Sequence, residues 1–187
     1  MITAETERFI LRPFAATDID FLDLLHSDAF VMRYLTGRVR AHDENMASLT
    51  SALFLEEEHG IGHRIVIRKE DNMPVGRCGI SFIYGTGEKI MPTYYSDENL
   101  LPEGAKSFRM FELGYIFLRK EWGKGYATEA ATAMRDYGLK VQKLPEIHSV
   151  IMQENAGSVA VAEKIGAKRR GGCLLKGKLS WDYLSQV

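Results

Sequence analysis

A carboxylate and two glycines give the segment from Glu112 to Ala127 its chemical interest. Leu113 to Leu118 has the apolar composition of a strand. It runs into a turn holding Gly123 and Gly125, then into the helix former Ala127-Thr128-Glu129-Ala130-Ala131. Such a turn can cradle a diphosphate. Glycines remove the Cβ atoms that would hold an anion off the backbone, and the helix behind adds free N–H groups and the positive end of its dipole. Glu112, at the other end of the strand, stands where a general base is wanted. A Gly-x-Gly before a helix is also an ordinary strand-to-helix turn, so spacing alone leaves both readings open. Two phosphate motifs are excluded by residue identity. No Gly-Lys-Ser/Thr ends the turn as a P-loop requires, and no Gly-x-Gly-x-x-Gly precedes a ribose-binding acid.

Trp122-Gly123-Lys124-Gly125-Tyr126-Ala127 resembles the pyrophosphate loop of the GNAT acyl-CoA-dependent N-acetyltransferases, Gln/Arg-x-x-Gly-x-Gly/Ala. Trp122 stands where Gln or Arg is usual. The Trp-Gly-Lys-Gly form is similar to the branch that acetylates the N-termini of ribosomal proteins, which also includes enzymes acting on antibiotics and other small amines. A second block agrees: Asn155 and Ser158, followed by Glu163-Lys164-Ile165-Gly166-Ala167, resemble the family's Asn-x-x-Ser-x-x-x-x-Glu-Lys-x-Gly-Phe. Both motifs occur in the family's order, and the resemblance runs from about residue 5 to 184.

The resemblance implies acetyl transfer from acetyl-CoA to a primary amine. The amine must lose a proton, an oxyanion must be stabilised, and CoA must leave as a thiolate. It implies that acetyl-CoA lies between two splayed strands, its pantetheine amides pairing with Ile116, Phe117 and Leu118. Its diphosphate would rest on the N–H groups of Trp122, Gly123, Lys124, Gly125, Tyr126 and Ala127, with Lys124 adding a charge or pointing into solvent. Asn155 would hydrogen-bond the cofactor. Ser158 would protonate the leaving thiolate, because the helix that follows has no tyrosine where many relatives place one. Glu112 would be the base, acting directly or through water. An acid on an apolar strand needs a raised pKa or a partner, so the alternative is a structural ion pair with Arg77 or Arg109. Asn155 and Ser158 likewise have a structural reading, as helix caps. The acceptor is read as a protein N-terminus, such as that of a ribosomal protein, or as a polyamine, amino acid or aminoglycoside. A competing reading is a catalytically idle acyl-CoA sensor.

Composition bounds the rest. The chain has 187 residues, 45% hydrophobic and 26% charged, enough for one well-buried core, and a single domain over residues 1–187 is expected. A formal net charge of −1 offers nucleic acid or anionic lipid no overall attraction. No apolar window reaches a membrane span and the start lacks a signal-peptide pattern, so a cytoplasmic protein is expected, and the resemblance implies a monomer or homodimer. Cys78 and Cys173 read as buried thiols. His26, His42, His59, His63 and His148 form no His-x-x-x-His pair, so no metal is expected.

The elements that must position these groups alternate between strand and helix. Strands are expected at 8–13, 64–68, 75–84, 108–118 and 146–152, with a closing hairpin over 168–173 and 179–184. Helices are expected from Thr17, with Phe21, Leu22, Leu24 and Leu25 as the apolar face, and over 43–59, with Met46, Leu49, Leu53 and Phe54 along one side and Gly60 as the stop. The strongest helix places Ala127, Ala130, Ala131, Met134, Gly138 and Val141 on one stripe. A short one runs from Asn155 to Ile165. Residues 85–107, carrying Ile90, Met91, Tyr94, Tyr95, Leu100 and Leu101, read as a binding loop or a disordered insertion. The expected fold is α/β with a mixed, mostly antiparallel sheet and helices on both faces.

Overall fold

The computed structural model describes residues 3–87 and 91–186, so Ile90 lies outside the described residues. Its elements are strands and helices in alternation, gathered into two compact units. Three segments pass from one unit to the other: strand β4 (Met73–Thr86), strand β6 (Ser107–Phe117) and helix α4 (Tyr126–Asp136).

The first unit comprises residues 1–79 and 114–134. Strands β1 (Ala4–Glu5), β2 (Phe9–Pro13) and β3 (Gly62–Arg68) pair in order, antiparallel, and β3 neighbours the first half of β4. Helices α1 (Ile19–His26), α2 (Ala29–Met32) and α3 (His42–His59) cover one apolar cluster of Phe14, Phe21, Leu22, Leu25, Val31, Leu49 and Ile65, against which Ile116 and Leu118 pack. Entry to α1 is fixed by Asp18, which pairs with Arg12 at 2.7 and 2.8 Å and accepts the Ala15 N–H at 2.8 Å. Gly60 ends α3 at φ 64°, a left-handed cap open to glycine. The apolar stripes of these helices are narrower than the sequence implies. Leu24, Met46 and Phe54 are exposed, whereas Phe21, Leu22, Leu25 and Leu49 enter the cluster and Leu53 packs at its edge.

The second unit comprises residues 80–113 and 135–187. Its strand order is β4, β5 (Thr93–Tyr95), β8 (Lys168–Leu175), β9 (Lys178–Ser185), β7 (Ile147–Met152), β6. Only β5–β8 and β6–β7 are parallel in these pairings. Within the described part of the 85–107 segment, β4 runs on to Thr86, β5 joins the sheet, and Tyr94 is buried with Ile83, Val150 and Cys173, so this part is not a disordered insertion. After α4 the chain continues as a π-helical turn, Tyr137–Val141. A Cβ on Gly138 would lie 2.4 Å from Ile80 Cδ1 and 2.7 Å from Ile147 Cδ1, so a larger residue would have to push the ends of these two side chains aside. Val141 is exposed and leaves the expected stripe. Helix α5 (Ala156–Lys164) begins at Asn155 and is followed by Gly166 at φ 82°. The fold is a mixed, mostly antiparallel sheet flanked by helices.

Candidate active site

In the first unit, β6 delivers Ile116 and Phe117 and then turns through Leu118 into the loop 119–125. Leu118 donates its N–H to Val75 O at 3.0 Å, and the Trp122 indole donates to Phe117 O at 2.9 Å. Trp122 thus folds back and closes the turn on its own strand, with 45% of its surface exposed. Two backbone groups of the segment expected to pair with pantetheine are engaged in this way.

Gly123 and Gly125 take φ of 75° and 78°, left-handed conformations that cost a side-chain-bearing residue about 1–2 kcal/mol. A Cβ on Gly123 would meet nothing within 4 Å, so the loop presents open backbone there. The Glu129 N–H reaches Gly125 O at 3.1 Å, which leaves the N–H groups of the first turn of α4, Tyr126 and Ala127 among them, ahead of the intrahelical ladder. This backbone fits a diphosphate.

The charges around the loop are shared rather than loose. Lys124 Nζ lies 2.8 Å from Glu121 Oε2, and Arg68 reaches the same oxygen at 3.1 Å. Lys124 neither stands free in solvent nor offers an undivided charge. Arg8, which no local pattern singles out, donates to Lys124 O at 2.9 Å and to Glu129 Oε2 at 2.6 Å, and its guanidinium lies 4.7 Å from the centroid of the Tyr126 ring. Glu129 also accepts Thr6 Oγ1 and the Arg8 N–H, so the start of α4 is locked to the β1–β2 turn.

In the second unit, Glu112 sits opposite His148 in the parallel register of β6 and β7. It is half-buried, and loss of hydration pushes its carboxyl up to about 7. The Val150 N–H, which hydrogen-bonds it, and the charges of Lys176 and His148 restrain the shift. Arg109 does not serve as its ion pair: its guanidinium lies over the Phe82 ring at 4.0 Å. His148, Asp182 and Tyr94 come from three strands and were not indicated by the sequence. Buried His148 contacts Asp182 Oδ1 at 2.8 Å through Nδ1 and Glu146 Oε1 at 3.3 Å through Nε2, and the Tyr94 hydroxyl donates to Asp182 Oδ2 at 3.2 Å. Burial opposes the charged imidazole, but Asp182 and Glu146 outweigh it and raise the His148 pKa. The only signal was polar residues inside apolar strands, and that does not name their partners.

Asn155 caps α5, its Oδ1 accepting the Ser158 N–H at 3.2 Å. Both residues occupy the first turn of this helix, as the second block requires. Cys78 and Cys173 are buried thiols, with Cys173 pushed up to about 12 by burial and by the charges of Asp182 and Glu112. Among the described residues no cluster of His, Cys, Asp and Glu has the arrangement of a metal site, and no helix is long and apolar enough to cross a membrane.

Comparison with known proteins bears on this arrangement. The family model of the acetyltransferase (GNAT) domain matches residues 8–168. An N-acetyltransferase of Bacillus subtilis strain 168, YnaD, itself uncharacterized, is 28% identical over 183 residues, 95% of this chain and 91% of the relative. The crystal structure of a GNAT-family acetyltransferase from Bacillus anthracis superposes with a TM-score of 0.72 at 26% identity, covering 100% of this chain and 98% of the other. RimL, a ribosomal L7/L12 α-N-protein acetyltransferase solved in complex with coenzyme A, has a TM-score of 0.76 over 100% of this chain and 98% of its own. At 14% identity it shares the fold alone. The chain belongs to the GNAT acetyltransferase family, and its chemistry is acyl transfer.

Proposed function

We propose that the protein transfers an acetyl group from acetyl-CoA to a primary amine, with Glu112 as the base. The observation that carries this reading is the β6–turn–α4 segment. It runs from a half-buried carboxylate to a turn whose two left-handed glycines and first helical N–H groups suit a diphosphate. Acetyl-CoA supplies the activated acyl group.

The chain's own groups divide the remaining work. Ile116, Phe117 and Leu118 orient the pantetheine arm through whichever backbone groups Val75 and Trp122 leave. Residues Trp122, Gly123, Lys124, Gly125, Tyr126 and Ala127 bind the diphosphate, mainly through N–H groups, since Lys124 shares its charge with Glu121. A carboxyl with its pKa near 7 is half ionised at neutral pH and is matched to accept the amine's proton. Asn155 holds the cofactor while capping α5, and Ser158 supplies the proton to the departing thiolate.

The acceptor is an amine. RimL acts on a protein N-terminus, which supports that class by fold only. Calorimetric titration with acetyl-CoA, followed by thiol release against N-terminal peptides, polyamines, amino acids and aminoglycosides, tests the reading. Binding with thiol release from one class supports it, and binding with no release from any class supports an idle sensor instead. Absence of binding removes the diphosphate role of residues 122–127.

A further inference from the structure

His26 closes α1 among the apolar side chains of Phe21, Leu22 and Leu25 and is 1% exposed. A buried imidazole needs partners at both nitrogens. Nδ1 has one, Asn45 Oδ1 at 2.6 Å, and Asn45 Nδ2 donates in turn to Asp23 Oδ1 at 2.8 Å. Because the Asn45 amide nitrogen is directed at a carboxylate, its oxygen is the acceptor facing His26. That chain of donors assigns the imidazole proton to Nδ1 and leaves a lone pair on Nε2. Nε2 is buried and has no partner in the protein.

Nε2 belongs to a residue that lines a small cavity with Arg77, His63, Ser48, Leu22 and Leu49. Its volume is about 30 Å³, and a water-sized group needs roughly 10–15 Å³, so it admits about two such groups. That is room for the two oxygens of one carboxylate and not for a whole molecule. The charged groups acting on the two imidazoles are Arg77 on β4, Arg40 ahead of α3, Arg64 on β3 and Asp23 on α1. Arg64 is paired with Glu56 at 2.7 Å, and Asp23 stands behind Asn45, so the cavity itself is lined by donors and positive charge. Burial first, and Arg77 second, bring His26 down to about 4 and His63 well below its ordinary value, so both rings are neutral at pH 7.

We propose that this cavity receives a carboxylate borne by the amine acceptor, one oxygen accepting from the Arg77 guanidinium and the other from His26 Nε2, which takes a proton from solvent as the carboxylate enters. Arg77 lines the cavity, already has a partner in the protein, and carries five N–H donors in all. The placement suits an acceptor. A Cβ on Gly114 would lie 3.1 Å from His63 Nε2, and Gly114 precedes Ile116 by two residues on β6, roughly 7 Å along the strand. Phe14, Leu22 and Leu49 of the cavity wall belong to the cluster that packs on Ile116 and Leu118. The inference rests on the acetyl-transfer reading only in naming the ligand an acceptor. The same chemistry is offered by a free amino acid and by a protein N-terminus beginning with an acidic residue. A polyamine would meet positive charge at the cavity.

The test uses the intact protein with ¹³C-labelled histidine, following the His26 ring by NMR against pH with acetate, glutamate, a peptide beginning with Asp, or spermidine. Carboxylates are expected to raise the His26 titration midpoint by about three units, to near 7 or above, with affinity falling about tenfold per pH unit between the free and the bound midpoints. His26→Gln, which keeps a polar group of similar reach, is expected to abolish that pH dependence. Stronger binding of glutamate assigns a free amino acid, and stronger binding of the peptide assigns a protein N-terminus. An unmoved His26 midpoint with every carboxylate, a shift caused by spermidine, or a pH dependence that survives His26→Gln overturns the proposal. Thiol release is measured separately with the same ligands and acetyl-CoA. Carboxylate binding without release from any amine removes the transferase reading and leaves the site, whereas release with His26 unmoved removes the site and leaves the transferase.

Discussion

Glu112 and His148 are register partners across the parallel pair β6–β7, and His148 is itself held 2.8 Å from Asp182, which also receives the Tyr94 hydroxyl. The candidate base therefore sits opposite a buried imidazole that a carboxylate holds. The two groups oppose each other's ordinary behaviour: burial favours a neutral Glu112, while the positive charge that Asp182 sustains on His148 favours an ionised one.

A base works in its ionised form, so kcat/KM for thiol release with an acceptor that bears no carboxylate should rise with pH and level off above about 7, the value to which burial brings Glu112. Glu112→Gln is expected to lower kcat/KM about 10²- to 10⁴-fold and to remove that limb, while leaving acetyl-CoA binding intact. A stopped-assay profile with an acceptor whose amine titrates well above 9 separates the enzyme's limb from the substrate's. An unchanged limb in Glu112→Gln would remove Glu112 as the base.

Stability should peak near neutral pH, with opposite signs from two sets of groups. His148 and Glu112 have raised values in the folded protein. Their contribution is complete below the unfolded values, near 6.5 and 4.5 respectively, and is lost as pH rises through the folded ones. His26 and His63 have lowered values, so the unfolded chain takes up protons that the folded chain refuses, and stability falls as pH drops below about 6.5. Urea midpoints measured from pH 5 to 9 should therefore pass through a maximum. His148→Gln should flatten the alkaline side and His26→Gln the acid side.

What the sequence disclosed follows from how local each feature is. The strand, turn and helix from Glu112 to Asp136 are one continuous segment, and the Asn155 cap is decided within four residues, so both were legible. Arg8 against the loop carbonyl at Lys124 joins positions 116 residues apart, and the Tyr94–Asp182–His148 chain needs three strands in register. No periodicity announces either. The exposure of Leu24, Met46 and Phe54 is a related failure: an apolar stripe says that a helix has a face, while the width of that face is set by what it meets. Tyr94 was hidden in a stretch rich in turn residues because β5 is three residues long and is held by pairing on both sides, a tertiary cause that overrides composition.

The loop glycines allow strain and obstruction to be separated. Gly123→Ala should cost about 1–2 kcal/mol of stability, since the left-handed backbone is strained for alanine although space is open. Gly123→Asn should cost less, because asparagine tolerates that conformation. Both place a side chain where the diphosphate would approach, so both should weaken acetyl-CoA binding at least tenfold despite their different melting temperatures. Calorimetry and thermal melts on the pair check this. Affinity that tracks stability instead would mean that the loop contributes shape and not contact.

Asn155 offers the same separation for a cap. Its Oδ1 accepts the Ser158 N–H, so Asn155→Ala should cost about 1 kcal/mol, whereas Asn155→Asp keeps an acceptor at the start of α5 and should hold or raise the melting temperature. An aspartate has no amide N–H to donate and adds negative charge. If Asn155 also binds the cofactor, Asn155→Asp should lose acetyl-CoA affinity while keeping its fold. The Ser158 backbone N–H takes part in the cap, and a change at Ser158 that leaves the backbone in place tests the side chain. Ser158→Ala keeps that N–H and should leave acetyl-CoA affinity unchanged and slow the single-turnover rate. An unaltered rate in Ser158→Ala would leave the thiolate to be protonated by another group or by water, and Ser158 would be a capping residue only.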